Sequence, residues 1–239
     1  MRRDHRPYIV KRAYLKFQNF YVHRFLKPQL EFLGHGYTFI QPWNVEIFGP
    51  RVEIGNYANI IAARDMKIRL SVWSDSEDKG SIKIGNYCLI SPGVRIGSGS
   101  RIIIKDNCMI AGRAYITDSD WHGIYNRISS GKTAPILIQE NVWIGDSALI
   151  CKGVTIGENS IIGAGSVVVD NVPPYSVAAG NPARIVNRLD PEKTYTKRSD
   201  WFSDPVKLVR DMDQIDKNML QKNSFLHWAG HLLFPGKRD

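Results

Sequence analysis

Residues 138–168 read IQENVWIGDSALICKGVTIGENSIIGAGSVV, and an aliphatic residue returns at every sixth position: Ile138, Ile144, Ile150, Ile156, Ile162 and Val168. Earlier runs keep the same step, as Ile84, Ile90, Ile96, Ile102 and as Ile104, Ile110, Ile116. The residue after each aliphatic is often glycine or small, as at Gly85, Gly97, Ala111, Gly145, Gly157 and Gly163. The fifth slot is small or β-branched, as at Val142, Ala148, Val154, Ser160 and Ser166. An α-helix, with about 3.6 residues per turn, cannot hold a six-residue period on one face. A plain strand alternates and has no need of a glycine at every sixth residue. A solenoid with flat faces and tight corners satisfies both features, three sides to a coil. The aliphatics then point inward and stack on their counterparts one coil away, each burial stabilising by roughly 1.5–3 kcal/mol. About a dozen hexads are legible between Ile54 and Val168, which predicts about four coils and roughly 20 Å of prism. The general rule for parallel crossovers predicts a right-handed coil.

Composition narrows the partners. The chain of 239 residues has a net charge of +9 and three cysteines. Cys88 and Cys151 occupy repeat slots and Cys108 another, with no CxxC spacing, so packing is expected rather than disulfides or metal ligation. A reducing, cytoplasmic compartment fits, and neither a signal peptide nor a membrane-spanning stretch is expected. The repeat lacks an aromatic platform interleaved with arginine, so nucleic acid is not expected as a partner. The positive charge suits a polyphosphate ligand or the inner, anionic face of a membrane.

Three regions are expected: a helical, aromatic and basic extension over 1–45, the repeat over 46–188, and a helical extension over 189–239. The apolar stripe Val10, Tyr14, Phe17, Tyr21, Phe25 predicts an amphipathic helix over residues 7–33, ended or kinked near Pro28. Trp201, Val206, Val209, Met212, Ile215 and Met219 predict helix near the other end. These ends could cap the prism, pack a trimer, or lie on a membrane through an apolar face that finishes at Lys237 and Arg238. Around residues 63–81 the period lapses, with a strand at 67–72 and a polar turn at Asp75–Gly80.

The second lapse matters more. Ile116 to Ile138 is a step of 22 residues, and residues 117–135 carry Asp118, Asp120, Trp121, His122, Tyr125, Asn126 and Arg127. A long loop in a tight solenoid is usually functional. His122 is the only histidine between residues 46 and 188, and imidazole suits proton removal near neutral pH. Asp120 or Asp118 is the candidate to hold its tautomer, the alternative being a loop-forming Asx turn. Cys108 and Cys151 have no nearby histidine and read as inert. His227 and His231, four apart, have metal-ligand spacing but no acidic or cysteine neighbour, so a structural or interfacial role is expected.

The order Asn141-Val142-Trp143-Ile144-Gly145, Gly153-Val154-Thr155-Ile156-Gly157, Ile162-Gly163-Ala164-Gly165-Ser166, Val172-Pro173-Pro174, then Ala179-Gly180-Asn181-Pro182-Ala183-Arg184 resembles the hexapeptide-repeat acyltransferases. Within them it is similar to the maltose, galactoside and nodulation-factor O-acetyltransferase branch. The resemblance implies a left-handed parallel β-helix, against the general crossover rule. It implies an O-acyltransferase taking acetyl-coenzyme A as co-substrate, with a sugar, glycan or glycolipid hydroxyl as acceptor. His122 falls at the general base, Trp143 beside the thioester, Asp146 where the galactoside branch has serine, Ala164 at a pantetheine amide and Arg184 at the nucleotide phosphates. It further implies a homotrimer, with the cofactor groove between subunits, and no metal. A non-enzymatic trimeric scaffold or membrane-surface module is the alternative. A zinc-dependent carbonic anhydrase on the same prism would need three histidines where the repeat has one.

Overall fold

The computed structural model describes residues 4–73 and 80–234. They form two compact units: residues 21–73 with 80–200, and residues 4–20 with 201–234.

Residues 21–200 coil into a left-handed parallel β-helix with three sheet faces. Two faces have six strands and the third has eight. The hexad aliphatics stack in register as three inward ladders. One runs Leu33, Ile54, Ile84, Ile104, Ile138, Ile156. The second runs Phe39, Ile60, Ile90, Ile110, Ile144, Ile162, Ala178. The third runs Ile47, Leu70, Ile96, Ile116, Ile150, Val168. From Ile54 to Ile162 nearly every rung is fully buried. The left-handed coil contradicts the general crossover rule and agrees with the resemblance.

The corners explain the small residues. A Cβ on Gly145 would stand 2.6 Å from the Ala164 nitrogen, and one on Gly157 would stand 2.2 Å from the Pro174 nitrogen. At the neighbouring corner position φ is positive at Asn107, Asn141 and Asn159, where asparagine tolerates the left-handed region. The Asn141 amide donates to Asn159 Oδ1 at 2.8 Å, so successive coils are also tied by side chains.

The prism is longer than the hexads suggest. Phe32–Leu33 pairs with Glu53–Ile54, and Thr38–Ile40 pairs with Asn59–Ile61, so the first coil begins inside the region expected to be a helical extension. Six rungs stand where about four are expected. Helix α1 (Tyr8–Tyr21) stops short of the expected end, and a π turn at Val22–Leu26 and a 3-10 turn at Lys27–Gln29 replace its continuation. Pro28, which has no N–H to donate, lies in that second turn. Ile68–Val72 is a regular strand of a six-stranded face; the polar turn expected after it falls largely outside the described residues.

The terminal unit holds α1 (Tyr8–Tyr21, its last residue in the prism unit), α3 (Pro205–Leu220) and α4 (Phe225–Leu233), after a short α2 at Arg198–Trp201. Asp204 caps α3 and Ser224 caps α4, each accepting from a backbone N–H of the first turn. Lys11 pairs with Asp216 and Arg12 with Asp213, each at 2.6 Å. Lys217, the Tyr8 hydroxyl and Arg12 together hold the Asp213 carboxyl far below the usual carboxylate range. Among the described residues, no helix is long and apolar enough to cross a membrane.

Ile144→Ala removes a fully buried rung from the middle of a ladder. A loss of about 2–5 kcal/mol is expected in denaturant unfolding, against about 0.5–1.5 kcal/mol for Ile144→Val.

Candidate active site on the long loop

The long loop leaves the strand Tyr115–Thr117 and is closed at its base by a buried carboxylate. Asp118 is fully buried and accepts from Ser98 Oγ at 2.8 Å, the Gly99 nitrogen at 2.6 Å and the Ser100 nitrogen at 2.9 Å. It therefore binds the loop's first residue to the turn one coil below. Across the stem, Ser119 bridges Thr133, and the Asp120 nitrogen donates to the Lys132 carbonyl at 3.0 Å. Gly131 permits this approach, since a Cβ there would stand 2.8 Å from the His122 backbone.

Trp121 has positive φ, fixed by two local bonds: its nitrogen donates to Ser119 Oγ at 2.9 Å, and the His122 nitrogen donates to the Asp120 carbonyl at 2.8 Å. The Trp121 indole donates to Thr117 Oγ1 at 3.1 Å and lies against Gly97, where a Cβ would come within 3.2 Å of the ring. His122 follows on the exposed side of this turn, its imidazole making no hydrogen bond among the described residues. Beyond it, residues 123–129 close a tip whose Tyr125 is 99% and Ile128 95% exposed.

Neither aspartate holds the imidazole. Asp120 gives its carboxylate to Lys152 at 2.7 Å, and Asp118 is committed to the buried turn. In this structure Asp120 braces the loop stem against the next coil.

Trp121 also walls a cleft of about 270 Å³ on the six-stranded face that carries Arg69, Trp73, Arg95 and Tyr115. Arg95 stacks on the Tyr115 ring at 4.3 Å and makes no ion pair among the described residues, whereas Arg69 is bound to Glu46 at 2.7 Å. The hexads did not predict this cleft, because its residues occupy outward slots. Register could have found it: Arg69 pairs with Arg95, and Arg95 with Tyr115, each directly before a ladder residue.

The four residues expected at the cofactor lie on or beside the eight-stranded face, apart from the loop. Trp143 is 47% exposed, on the strand that pairs with Ile161–Ile162. Asp146 and Ala164 flank equivalent corners of successive coils, where the Gly165 nitrogen donates to the Asp146 carbonyl at 2.8 Å. Asp146 accepts from Ser147 Oγ at 2.8 Å and from Arg113 at 2.5 Å, which together lower its pKa. Arg184, on the closing antiparallel strand, pairs with Asp170 at 3.2 Å, both exposed. No hydrogen bond or ion pair among the described residues joins His122 to any of the four. The cysteines are inert: Cys88 and Cys108 are buried, each donating to a backbone carbonyl, and burial raises the Cys151 thiol.

Comparison with known proteins agrees with this architecture. Residues 135–170 match the family model described as bacterial transferase hexapeptide (six repeats). The galactoside O-acetyltransferase of Escherichia coli (strain K12) is 37% identical over 119 residues, 48% of this chain and 58% of that protein. The chain thus spans less than two thirds of the curated relatives it matches; of a Staphylococcus aureus (strain MRSA252) protein 51% identical over 61 residues, it spans 31%. A single-residue variant of AntD, an N-acyltransferase from Bacillus cereus solved with dTDP and coenzyme A, superposes with a TM-score of 0.51. At 17% identity, covering 80% of this chain and 95% of that one, this likeness shows the fold alone. A hexapeptide-repeat acetyltransferase from Vibrio cholerae, solved with acetyl-coenzyme A, has 26% identity and a TM-score of 0.47, covering 69% of this chain and 74% of that one. The repeat match and the acetyltransferase relative bear out the resemblance read from the sequence.

Asp118→Ala would leave two buried donors, Ser98 Oγ and the Gly99 nitrogen, and the half-buried Ser100 nitrogen without their acceptor, the buried ones costing about 1–3 kcal/mol each. A loss of stability of several kcal/mol, and faster proteolysis within residues 117–135, are expected in denaturant unfolding and limited digestion.

Proposed function

We propose that this hexapeptide-repeat chain is a coenzyme-A-dependent O-acyltransferase that moves an acetyl group from acetyl-coenzyme A to a hydroxyl of a sugar, glycan or glycolipid. The carrying observation is the exposed imidazole of His122, held at the braced base of the long loop that follows Thr117.

In this reading a ring nitrogen of His122 takes the proton of the acceptor hydroxyl. The oxygen attacks the thioester carbonyl and forms the new C–O bond. The C–S bond then breaks, and the departing thiolate takes the proton back from the imidazolium. Backbone N–H groups would stabilise the intervening oxyanion, an effect commonly worth about 3–4 kcal/mol for one donor. No acyl-enzyme is required, in keeping with the buried thiols of Cys88 and Cys108.

The acyl donor is assigned to the eight-stranded face of a homotrimer, in a groove shared between subunits. There Trp143 would flank the thioester, Asp146 and the Ala164 backbone would meet the pantetheine amides, and Arg184 would exchange Asp170 for a phosphate. Asp146 is well suited to accept an amide N–H, since Ser147 and Arg113 keep it ionised. The acceptor is assigned to the cleft beside Trp121, whose aromatic walls suit the apolar face of a sugar ring and whose Arg95 suits an oxygen or acidic substituent.

Thiol release from acetyl-coenzyme A with a panel of glycosyl acceptors tests the reading. His122→Ala is expected to lower kcat by about 10²–10⁴-fold; turnover equal to wild type rejects His122 as the base. No acetyl-coenzyme A binding by wild type in calorimetry would favour the scaffold alternative.

Attachment to the anionic inner face of a membrane is proposed in addition. Leu226, Leu232, Leu233 and Phe234, on or directly after α4, are each more than 60% exposed in a chain of net charge +9. Flotation with anionic vesicles at low salt should carry the protein upward, and the four-residue Ser variant should stay at the bottom. Wild-type protein staying there would reject the attachment.

A further inference from the structure

Three histidines meet in the terminal unit, far from the loop in sequence. His227 and His231 stand one turn apart on α4, with their Nε2 atoms 3.1 Å from each other. The third comes from the opposite end of the chain. The His5 ring stacks on His231 with centroids 3.6 Å apart, and lies 5.4 Å from the His227 ring. One nitrogen from each of the three lies within 4.8 Å of the other two.

His5 is held there by more than its own ring. The Asn223 side-chain amide donates to the carbonyls on both sides of it, Asp4 at 2.7 Å and Arg6 at 3.0 Å. Asn223 directly precedes Ser224, which caps α4 by accepting from the His227 nitrogen at 3.2 Å. One short segment therefore places the N-terminal strand of chain and the first turn of α4 together. The capped helix in turn fixes the spacing of His227 and His231.

We propose that His5, His227 and His231 form a binding site for a divalent transition ion of the zinc class. Two imidazole nitrogens bound tetrahedrally at about 2.0–2.1 Å lie roughly 3.3 Å apart, close to the observed Nε2 separation. Closing the third nitrogen from within 4.8 Å to that separation needs a shift of about 1.5 Å together with a turn of the His5 ring out of its stack on His231. Imidazole alone selects zinc, cobalt, nickel or copper over magnesium and calcium, which take oxygen. With three nitrogens supplied by the protein, water completes the coordination. The ion would join the first residues of the chain to α4, so its binding free energy would add to the stability of this unit. The site is separate from the acyl-transfer reading and does not depend on it.

Untagged full-length protein, stripped with chelator and then dialysed, provides the test. Titration with Zn²⁺ in a calorimeter, and with Co²⁺ in an absorption spectrometer, should show one ion per chain and the ligand-field bands of a four- or five-coordinate site. His5→Gln and His227→Gln should each weaken binding tenfold or more, with helix content by circular dichroism unchanged. His122→Gln should bind as wild type does. X-ray absorption on the zinc-loaded wild type should count three imidazoles, independently of any variant. Wild-type affinity no greater than that of the His5→Gln/His227→Gln/His231→Gln protein would overturn the proposal. So would full affinity in His5→Gln, or loss of binding in His122→Gln.

Discussion

Every coil of the prism has to deliver one inward aliphatic to each of three ladders while its backbone N–H groups reach the carbonyls of the next coil. These two demands share one register. A shift by one residue would turn the ladder residue outward and bring a polar neighbour in. This is why Ile84, Ile104, Ile138 and Ile156 can be separated by 20, 34 and 18 residues and still stack directly. Insertions are accommodated only where the chain leaves the prism and returns to the same rung. Corners follow from the same demand, since backbone approaches there leave Gly145 and Gly157 no room for a Cβ.

The long loop is such an excursion, and its base shows the cost of leaving the ladder. Ile116 still pairs with Ile150, so the coil beyond the loop takes no notice of it. The backbone donors of Gly99 and Ser100, at the turn beneath, find no acceptor from a neighbouring strand. A buried carboxylate, Asp118, accepts from both. A polar group in such a place is costly unless well bonded, and here three donors surround it. The result is a rigid stem that holds Trp121 on the sheet and presents His122 outward.

Legibility in the sequence tracked what the ladder demands. The fold, the long loop and the position of His122 could be read because each is a statement about where an aliphatic residue is or is not. The first coil was not readable in this way. Leu33, Phe39 and Ile47 fill its rungs at spacings of six and eight, and of the three only Leu33 is followed by a corner glycine, Gly34. The partner of Asp120 was hidden for a different reason. Asp120 and Lys152 are 32 residues apart, and their proximity follows only once the loop is subtracted and Ile116 is set against Ile150. The same correction brings Arg113 to Asp146 and Ser147. His5 lies beyond any such correction, since the terminal helices obey no repeat that relates residue 5 to residue 231.

Outward slots are where a solenoid of this kind can vary without penalty, and they carry nearly all the chemistry found here. Arg69, Arg95 and Tyr115 occupy one outward column, each adjacent to a ladder residue that is fully buried or nearly so. Because the ladder fixes their spacing, they form a wall whose chemistry can change residue by residue while its geometry stays constant. Gly97 departs from the corner pattern in this context. The nearest atoms to a Cβ there would be side chains, the Trp121 ring at 3.2 Å and the Tyr115 hydroxyl at 3.7 Å. The glycine therefore serves the loop rather than the coil, by letting the indole settle against the sheet. An added Cβ would press on the indole that walls the cleft and leads into His122.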